Sequence, residues 1–295
     1  MLGVVSGLAA ALLLGAAGLV VLQRHLQSQL PPAAAPVDVF ATLFDTRPVT
    51  VTITALWQKA PLEMPRWQFL ADHHIWLRMN FEDWDRLPND LRAAGLERLL
   101  ARHGDFITDP ARWPAMTAAD WDAVPQPVRA MAFVEMIDRW ADFYRPGEAF
   151  GLDPYEVAQT IKAVALSESW LDHRGWAANA DGSTDIGLGA ASNFARDAMR
   201  RLFAEQRVEF PMSDADYFNP RKATRWLVFW FGLMIDEARG DLHLAVRAHN
   251  CGISQARRGC GQEYLEHVLR RRERYFAGPS GSPTWRALSE FRRVP

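Results

Sequence analysis

Residues 153–188, DPYEVAQTIKAVALSESWLDHRGWAANADGSTDIGL, join an amphipathic helix to a hairpin. Asp153 can cap the helix, Pro154 stands at its first position and Glu156 at its third, a capping-box arrangement. The apolar stripe then recurs at spacings of four and three residues, at Val157, Ile161 and Val164. The next position on that stripe is Glu168. The sequence therefore predicts a helix that carries a carboxylic acid on its buried face near its C-terminus.

A carboxylate on an apolar helix face is costly unless it is paired or neutralised. Burial disfavours its charged form and raises its pKa, and the dipole at the C-terminal end of a helix acts in the same direction. We therefore expect Glu168 to stay protonated near neutral pH, as a general acid requires. The alternative is a structural Glu bonded to Ser or Arg neighbours at a helix end.

A second acid follows in a turn-rich segment, residues 179–187. The Asp-Gly pair at 181–182 is a strong hairpin signal, and it places Asp185 on the returning arm. The hydroxyls of Ser183 and Thr184 are expected nearby, where they would keep Asp185 ionised. Two such carboxyl groups suit cleavage of a glycosidic bond, because one protonates the leaving oxygen and the other faces the developing positive charge. An ordinary polar turn is the alternative.

The rest of the C-terminal half is predicted to be helical. Residues 219–239 are apolar all round in their middle, as expected for the central helix of a compact domain. Gly240 ends this helix, and Asp241 can cap the next one, which runs to about residue 248. A last helix, about 261–276, carries four residues inward: Tyr264, Leu265, Val268 and Leu269.

The region before residue 148 is expected to be mixed α/β. Residues 48–57 alternate apolar residues with Thr, the period of a half-buried strand, and residues 67–79 are taken as its partner. A Trp-Asp pattern that ends in Pro occurs twice and precedes predicted helices at 89–103 and 126–144. Two copies are too few for a solenoid, so we interpret them as similar helical entries that pack on one core.

The N-terminus resembles a membrane anchor. Residues 2–22 carry no charge and just reach spanning length, so we predict a single-pass helix over 1–23 and a Pro/Ala linker over 24–37. A cleaved signal peptide is the alternative, although no basic segment precedes the apolar run. Arg24 alone would place the body in the cytoplasm. The substrate inferred below argues for the periplasm instead.

Composition narrows the classes of partner. The net charge of −2 gives no global reason to expect nucleic acid, and the arginines at 270–272 and 274 are interpreted as a solvated helix face. An anionic partner for this run is the alternative. Twelve Trp residues suit either core packing or flat platforms for sugars. Cys251 and Cys260 leave a disulfide and two free thiols equally open, and no paired ligand spacing supports zinc.

Taken together, these motifs resemble a known family. Glu168-Ser169 followed by Asn-x-Asp-Gly-Ser-Thr-Asp-x-Gly at 179–187 is similar to the active-site stretch of c-type lysozymes. It is equally similar to the specialised lytic transglycosylases of secretion and conjugation machines, which carry the Asp-Ile-Gly-Leu run seen at 185–188. Residues 248–252, Ala-His-Asn-Cys-Gly, resemble the Ala-Tyr-Asn-Ala-Gly motif of soluble lytic transglycosylases. The likeness covers roughly residues 148–276.

The resemblance implies a mainly α protein with a lysozyme-like α+β catalytic domain and a small β-hairpin at 148–280. An accessory region at 38–147 would precede this domain, and a C-terminal tail at 281–295 would follow it. It implies cleavage of the β-1,4 bond between the amino sugars of peptidoglycan, with Glu168 and Asp185 as catalytic residues and with no metal or cofactor. The residues expected to bind substrate are Ser169, Ser183, Gly187, Leu188, His249, Asn250 and Tyr264. The implied location is the inner membrane with a periplasmic catalytic domain, and the implied partner is a secretion or conjugation machine.

Two departures keep other functions open. The family follows Gly-Leu with Met-Gln, whereas this chain has Gly189-Ala190, and the Tyr of the second motif is His249 here. His249 is expected either to line the cleft or to lie in the core with its hydrogen bonds satisfied. The alternatives to a transglycosylase are a lysozyme-type hydrolase that uses both acids and a non-catalytic wall-binding scaffold.

Overall fold

The computed structural model describes residues 45–55, 58–180, 182–277 and 281–293. These residues are mainly helical, with two antiparallel two-stranded sheets, which confirms the mainly α prediction. The predicted anchor at 1–23 and linker at 24–37 lie outside the described residues. Among the helices that are described, none is long and apolar enough to cross a membrane.

A β-hairpin opens the described chain. Strand β1 (Pro48–Ala55) pairs antiparallel with β2 (Gln58–Pro65). Alternate side chains of β1 enter the core: Val49, Val51 and Ile53. The strand predicted over 48–57 is therefore confirmed, and its partner is the segment that follows it directly.

Residues 67–79, which were expected to supply the partner strand, are helical instead. They form α1 (Arg66–Ala71) and α2 (His73–Trp76), and the Asp72 side chain caps α2 by accepting a hydrogen bond from the His74 amide. The buried residues come in adjacent pairs: Phe69 with Leu70, and Ile75 with Trp76. Adjacent burial fits helical turns that face a core and does not fit the alternation of a strand, so the strand prediction was wrong.

The repeated Trp-Asp pattern corresponds to one structural unit used twice. Each copy is a short helix with a capping box, α3 (Phe81–Asp85) and α5 (Ala118–Asp122), and each buries its Trp, Trp84 or Trp121, in the same core. A Pro then opens a long helix, α4 (Asn89–Thr108) or α6 (Gln126–Tyr144). The two predicted helices are confirmed, and α4 extends beyond its expected end at residue 103.

The elements that carry and surround the two candidate acids follow in the predicted order. They are α7 (Pro154–Ser169), β3 (Trp176–Ala178), β4 (Thr184–Ile186), α8 (Asn193–Ala204), α9 (Pro220–Glu237), α10 (Leu242–Cys251), α11 (Ile253–Ala256) and α12 (Gln262–Tyr275). The Asp153 carboxylate accepts from the Tyr155 amide and so caps α7, whereas Glu156 pairs with Arg272 on α12. Strands β3 and β4 form the predicted hairpin. The middle of α9 is buried, as expected for a central helix.

The C-terminal segment does not form a simple tail. Residues of the predicted tail at 281–295 form α13 (Pro283–Arg293), which packs against α3, α4 and α6. Leu288 is fully buried, and the Ser282 hydroxyl donates to Asp85. The chain thus returns to the accessory region, and residues 47–295 form one compact unit. The boundary expected near residue 147 falls within that unit, between α6 and α7.

At the end of the hairpin, the backbone of Gly187 packs closely against the backbone of Tyr217. Gly187 has φ +76°, and a Cβ atom there would lie 2.1 Å from the Tyr217 carbonyl oxygen. Gly182, in the hairpin turn, has a similar φ of +81° but nothing within 4 Å of an added Cβ. Alanine at either position would suffer backbone strain, but only alanine at 187 would also overlap a neighbouring residue, so the two substitutions distinguish these effects.

We expect Gly187→Ala to destabilise the protein by about 2–5 kcal/mol, because steric overlap adds to the cost of a left-handed residue. Gly182→Ala should lose only about 1 kcal/mol, the conformational part alone. Urea unfolding monitored by circular dichroism measures both. Equal losses in the two variants would contradict the tight packing of Gly187 against Tyr217.

Candidate active site

Glu168 lies in the last turn of α7, at the wall of a groove of about 970 Å³. Residues 163–166 of the helix are fully buried, Ser167 is half-buried, and the Glu168 side chain itself is 17% exposed. The helix ends at Trp170, whose backbone is left-handed with φ 56°. The apolar stripe seen in the sequence therefore delivers a carboxyl group that is largely withdrawn from water yet open to the groove.

Three side chains from later helices surround this carboxyl group. The Tyr264 hydroxyl on α12 donates a hydrogen bond to Glu168 Oε1. His249 Nε2, at the end of α10, lies 3.7 Å from the same oxygen. Arg271, two turns further along the same face of α12, donates to the Leu166 carbonyl, and its Cζ lies 4.0 Å from the centre of the Trp170 ring. The positive charge of Arg271 is thus engaged with the helix end and an aromatic face.

Burial raises the pKa of Glu168 to about 7, and the nearby charge of Asp185 acts in the same direction. The hydrogen bond from Tyr264 and the charge of Arg271 oppose this rise. Burial also lowers the pKa of His249 to about 4, so its ring is neutral near pH 7 and does not hold Glu168 as an anion. The carboxyl group is therefore close to half protonated at neutral pH, as a general acid and base requires.

Asp185 lines the same groove from the hairpin arm β4. Its carboxylate accepts a hydrogen bond of 3.1 Å from the Asn179 amide, which also donates to the Ser183 hydroxyl. The Thr184 hydroxyl instead bonds the side chain of Asn193. The hairpin prediction for Asp185 is confirmed, and Asn179 is a contact that the sequence did not identify.

Three of the residues expected to bind substrate are buried instead. Ser169 donates a 2.7 Å hydrogen bond to the Leu188 carbonyl, Leu188 is fully buried, and Gly187 packs under Tyr217. These residues attach the hairpin to the end of α7, so a direct contact with substrate is not available to them. His249 and Asn250 do line the groove, and Tyr264 contacts Glu168. A substrate contact for Ser183 stays a prediction.

The Gly189-Ala190 pair, which stands where the family has Met-Gln, packs closely against α9. A Cβ atom on Gly189 would lie 2.7 Å from Leu227 and 2.9 Å from the Trp226 ring, so α9 occupies the space of a larger side chain. Ala190 lines the groove, as do Trp226 and Trp230, whose rings stack with centres 6.2 Å apart. Phe194, 70% exposed, adds an aromatic face to the groove.

The arginine run is not simply a solvated face. Arg272 bonds Glu156 at 2.9 Å and Thr160 at 3.2 Å, so with Arg271 it joins α12 to α7. Arg270 and Arg274 are the exposed members of the run. Spacing alone could not reveal this, because the partners of Arg271 and Arg272 lie more than 100 residues earlier in the chain.

The two cysteines are paired. Cys251 at the end of α10 and Cys260 form a disulfide, with Cα atoms 6.5 Å apart, which resolves the two alternatives left open by the sequence. Within the described ranges, no group of three or more His, Cys, Asp or Glu residues is placed to hold a metal ion.

No protein-family model matches the chain, and no curated protein matches its sequence. The side chains around Glu168, together with the sequence motifs, are therefore the basis for a functional proposal.

Glu168→Gln should change how stability depends on pH. Because the pKa of Glu168 is raised from 4.5 to about 7, the folded protein holds this proton more tightly than the unfolded chain. The stability contributed by the protonated carboxyl is present below about pH 4.5 and is lost as the pH rises through about 7. Relative to Glu168→Gln, the natural protein should lose about 3 kcal/mol of unfolding free energy across that window.

Urea unfolding at pH values from 4 to 8.5 measures this difference. Glu263→Gln, which removes an exposed carboxylate from the first turn of α12, is the matched control and should leave the pH dependence unchanged. Parallel pH profiles for the natural chain and Glu168→Gln would show that the carboxyl group is not perturbed.

Proposed function

We propose that this protein is a peptidoglycan lytic transglycosylase that cleaves the β-1,4 bond between N-acetylmuramic acid and N-acetylglucosamine, with Glu168 as the single acid and base. The observation that carries the proposal is a largely buried carboxyl group that lines a groove of about 970 Å³ and lies beside Tyr264 and His249, where burial raises its pKa to about 7. The order of the elements supports a lysozyme-like α+β domain: a helix that ends in Glu, a hairpin with Asp, and a buried central helix.

The reaction needs two proton transfers at the same carboxyl group. Protonated Glu168 gives its proton to the glycosidic oxygen as the bond to C1 breaks, and the sugar develops positive charge. The resulting carboxylate then takes the proton from the 6-hydroxyl of the muramoyl ring while that oxygen attacks C1. The products are an anhydro-muramoyl end and a free hydroxyl on the leaving sugar. A pKa near 7 suits both transfers, because donor and acceptor are the same group.

The surrounding groups have defined tasks in this reaction. Tyr264 fixes the orientation of the Glu168 carboxyl through its hydrogen bond. Asp185, held by Asn179, supplies a negative charge that stabilises the developing cation. Phe194, the exposed aromatic residue among those described as lining the groove, offers a flat apolar surface of the kind that sugars stack on.

Two other functions each have an observation in their favour. A lysozyme-type hydrolase is favoured by Asp185, which lines the same groove and can act as nucleophile or stabiliser for attack by water. A non-catalytic wall-binding scaffold is favoured by Gly189-Ala190, because the family glutamine that helps to hold the sugar is missing. An anchor in the inner membrane, a periplasmic catalytic domain and service to a secretion or conjugation machine belong to the same proposal and depend on it.

Product analysis separates these functions. We expect the purified full chain to release muropeptides with anhydro ends from peptidoglycan, and Glu168→Gln to lower the rate roughly 10²–10⁴-fold, because the proton donor is lost. Mass spectrometry identifies the ends, and Glu263→Gln serves as control. Reducing ends, together with a comparable loss in Asp185→Asn, would indicate the hydrolase. Equal release by Glu168→Gln and the natural chain would remove Glu168 from the chemistry.

Tyr264→Phe should move the pH profile. The Tyr264 hydrogen bond lowers the pKa of Glu168, so its removal should raise that pKa. Because the acid must be protonated, the fall of kcat/KM at high pH should shift to higher pH in the variant. Tyr155→Phe, at a 63% exposed position at the start of α7, is the control. A fall that stays in place or moves to lower pH would contradict the positioning role of Tyr264.

A further inference from the structure

The disulfide joins the two chain segments that supply the neighbours of Glu168. Cys251 is the last residue of α10 and follows His249 by two positions. Cys260 stands just before α12 and precedes Tyr264 by four positions. His249 Nε2 lies 3.7 Å from Glu168 Oε1, and the Tyr264 hydroxyl donates to the same oxygen. The covalent bond therefore links the backbone segments that carry both neighbours of the carboxyl group.

The end of α10 packs closely against its surroundings. A Cβ atom on Gly261, at the start of α12, would lie 3.1 Å from both the Cβ atom and the carbonyl oxygen of Arg247 on α10. The ring of His249 also lies next to Phe231 of the central helix α9, with ring centres 6.3 Å apart. A displacement of the end of α10 would therefore change the position of His249 relative to both α9 and Glu168.

A buried alanine and a hydrogen bond hold the segment between the two cysteines. Ala256 is fully buried, and Arg257 donates a 2.8 Å hydrogen bond to the Glu237 carbonyl at the end of α9. These contacts attach the segment to the fold independently of the disulfide. Residues 257–260 are exposed, so little packing supports the end of the segment that meets α12. Loss of the S–S bond should therefore loosen this junction without unfolding the protein.

The sequence departs from the family motif at this junction. Residues 248–252 are Ala-His-Asn-Cys-Gly where soluble lytic transglycosylases have Ala-Tyr-Asn-Ala-Gly, so His249 and Cys251 are the two differences. An imidazole reaches less far than a phenol, so its backbone has to lie closer to Glu168 for the ring to contact the carboxyl group. A covalent link two residues away supplies this placement, and it is a feature of this chain's own residues.

We propose that the Cys251–Cys260 disulfide positions the two side chains that contact Glu168 and that its reduction by a dithiol reversibly lowers the activity. With the bond intact, the ends of α10 and α12 stay together and both neighbours approach the same carboxyl oxygen. With the bond broken, the end of α10 moves and water reaches the carboxyl group. The effect on catalysis rests on the proposed function, whereas the effect on the carboxyl group does not.

The position of the disulfide allows this exchange. Cys260 is exposed, whereas Cys251 is half-buried and lines the groove. A thiolate of the dithiol attacks the Cys260 sulfur, the S–S bond breaks, and Cys251 leaves as a thiolate that takes up a proton. The second thiol of the reagent then displaces Cys260 from the mixed disulfide. The protein gains two thiols, and the dithiol is oxidised to a cyclic disulfide.

Carbon-13 NMR of the Glu168 carboxyl group tests the positioning without turnover. The full chain is titrated with pH before and after reduction with dithiothreitol, beside the variant Cys251→Ala/Cys260→Ala. Because burial is the largest influence on the pKa of Glu168, the entry of water should lower the midpoint from about 7 toward the ordinary value of 4.5. The variant should show the lowered midpoint from the start. A midpoint that stays in place or rises on reduction would overturn the inference.

The variant also controls for other effects of the reagent, since these are the two cysteines of the whole sequence. It should give the same titration with and without dithiothreitol, and reoxidation should restore the midpoint of the natural chain. Circular dichroism should show that the reduced protein keeps its helical spectrum. Loss of that spectrum on reduction would assign the disulfide a general structural role and would also overturn the inference.

The rate of muropeptide release measures the consequence for catalysis. Reduction should lower kcat roughly 10- to 100-fold and change KM less than about twofold, because the carboxyl group loses its placement while the groove residues of α8 and α9 keep theirs. Reoxidation should restore kcat, and Cys251→Ala/Cys260→Ala should be slow with or without dithiothreitol. Equal kcat values for the oxidised and reduced protein would contradict the positioning role.

The two measurements keep the proposals apart. Absence of release by the oxidised full chain contradicts the proposed function, whereas the NMR midpoint still tests the placement of the carboxyl group. Release that does not respond to reduction, together with an unchanged midpoint, contradicts only the role of the disulfide.

Discussion

The proposed chemistry requires that the carboxyl group of Glu168 be withdrawn from water without gaining a permanent cation, and the surrounding helices provide this environment. Tyr264 contributes a neutral hydroxyl, and His249 is neutral because it is buried. Arg271 is the nearby cation, but its guanidinium is occupied by the Leu166 carbonyl and the Trp170 ring. A full ion pair would have fixed Glu168 as a carboxylate. The observed arrangement leaves its proton available for transfer.

The region before residue 148 and the region that carries the two acids share one core, and contacts between them support the helices around Glu168. Trp170, which ends α7, stacks against Arg271 and also lies 5.3 Å from the Lys59 ammonium of β2. Asp85 of α3 accepts hydrogen bonds at the start of α13 and lies 3.7 Å from Arg274 of α12. The helices that carry Glu168 and its partners are thus braced by the accessory region. Rigid support of this kind keeps a catalytic carboxyl in one orientation.

Local patterns predicted the elements that carry the two acids, because capping, apolar spacing and an Asp-Gly turn are properties of a few consecutive residues. They did not reveal the groups that act on Glu168. Tyr264 lies 96 residues later in the chain, and its inward position was predicted without its contact. The strand prediction for residues 67–79 was wrong because the sequence does not show which of its side chains are buried, and the paired burial that marks two helical turns becomes visible only in the packed structure. The packing of α13 onto the accessory region depends on contacts with α3 about 200 residues earlier, which no local pattern contains.

The protonation state of Glu168 can be observed directly. Carbon-13 NMR of the full chain labelled at the glutamate side-chain carboxyl carbons, with the Glu168→Gln spectrum used for assignment, follows this single group as the pH changes. A titration centred at about 7 is the predicted result. A midpoint near 4.5, the ordinary value for a solvated glutamate, would show that the group is ionised at neutral pH and cannot serve as the proton donor.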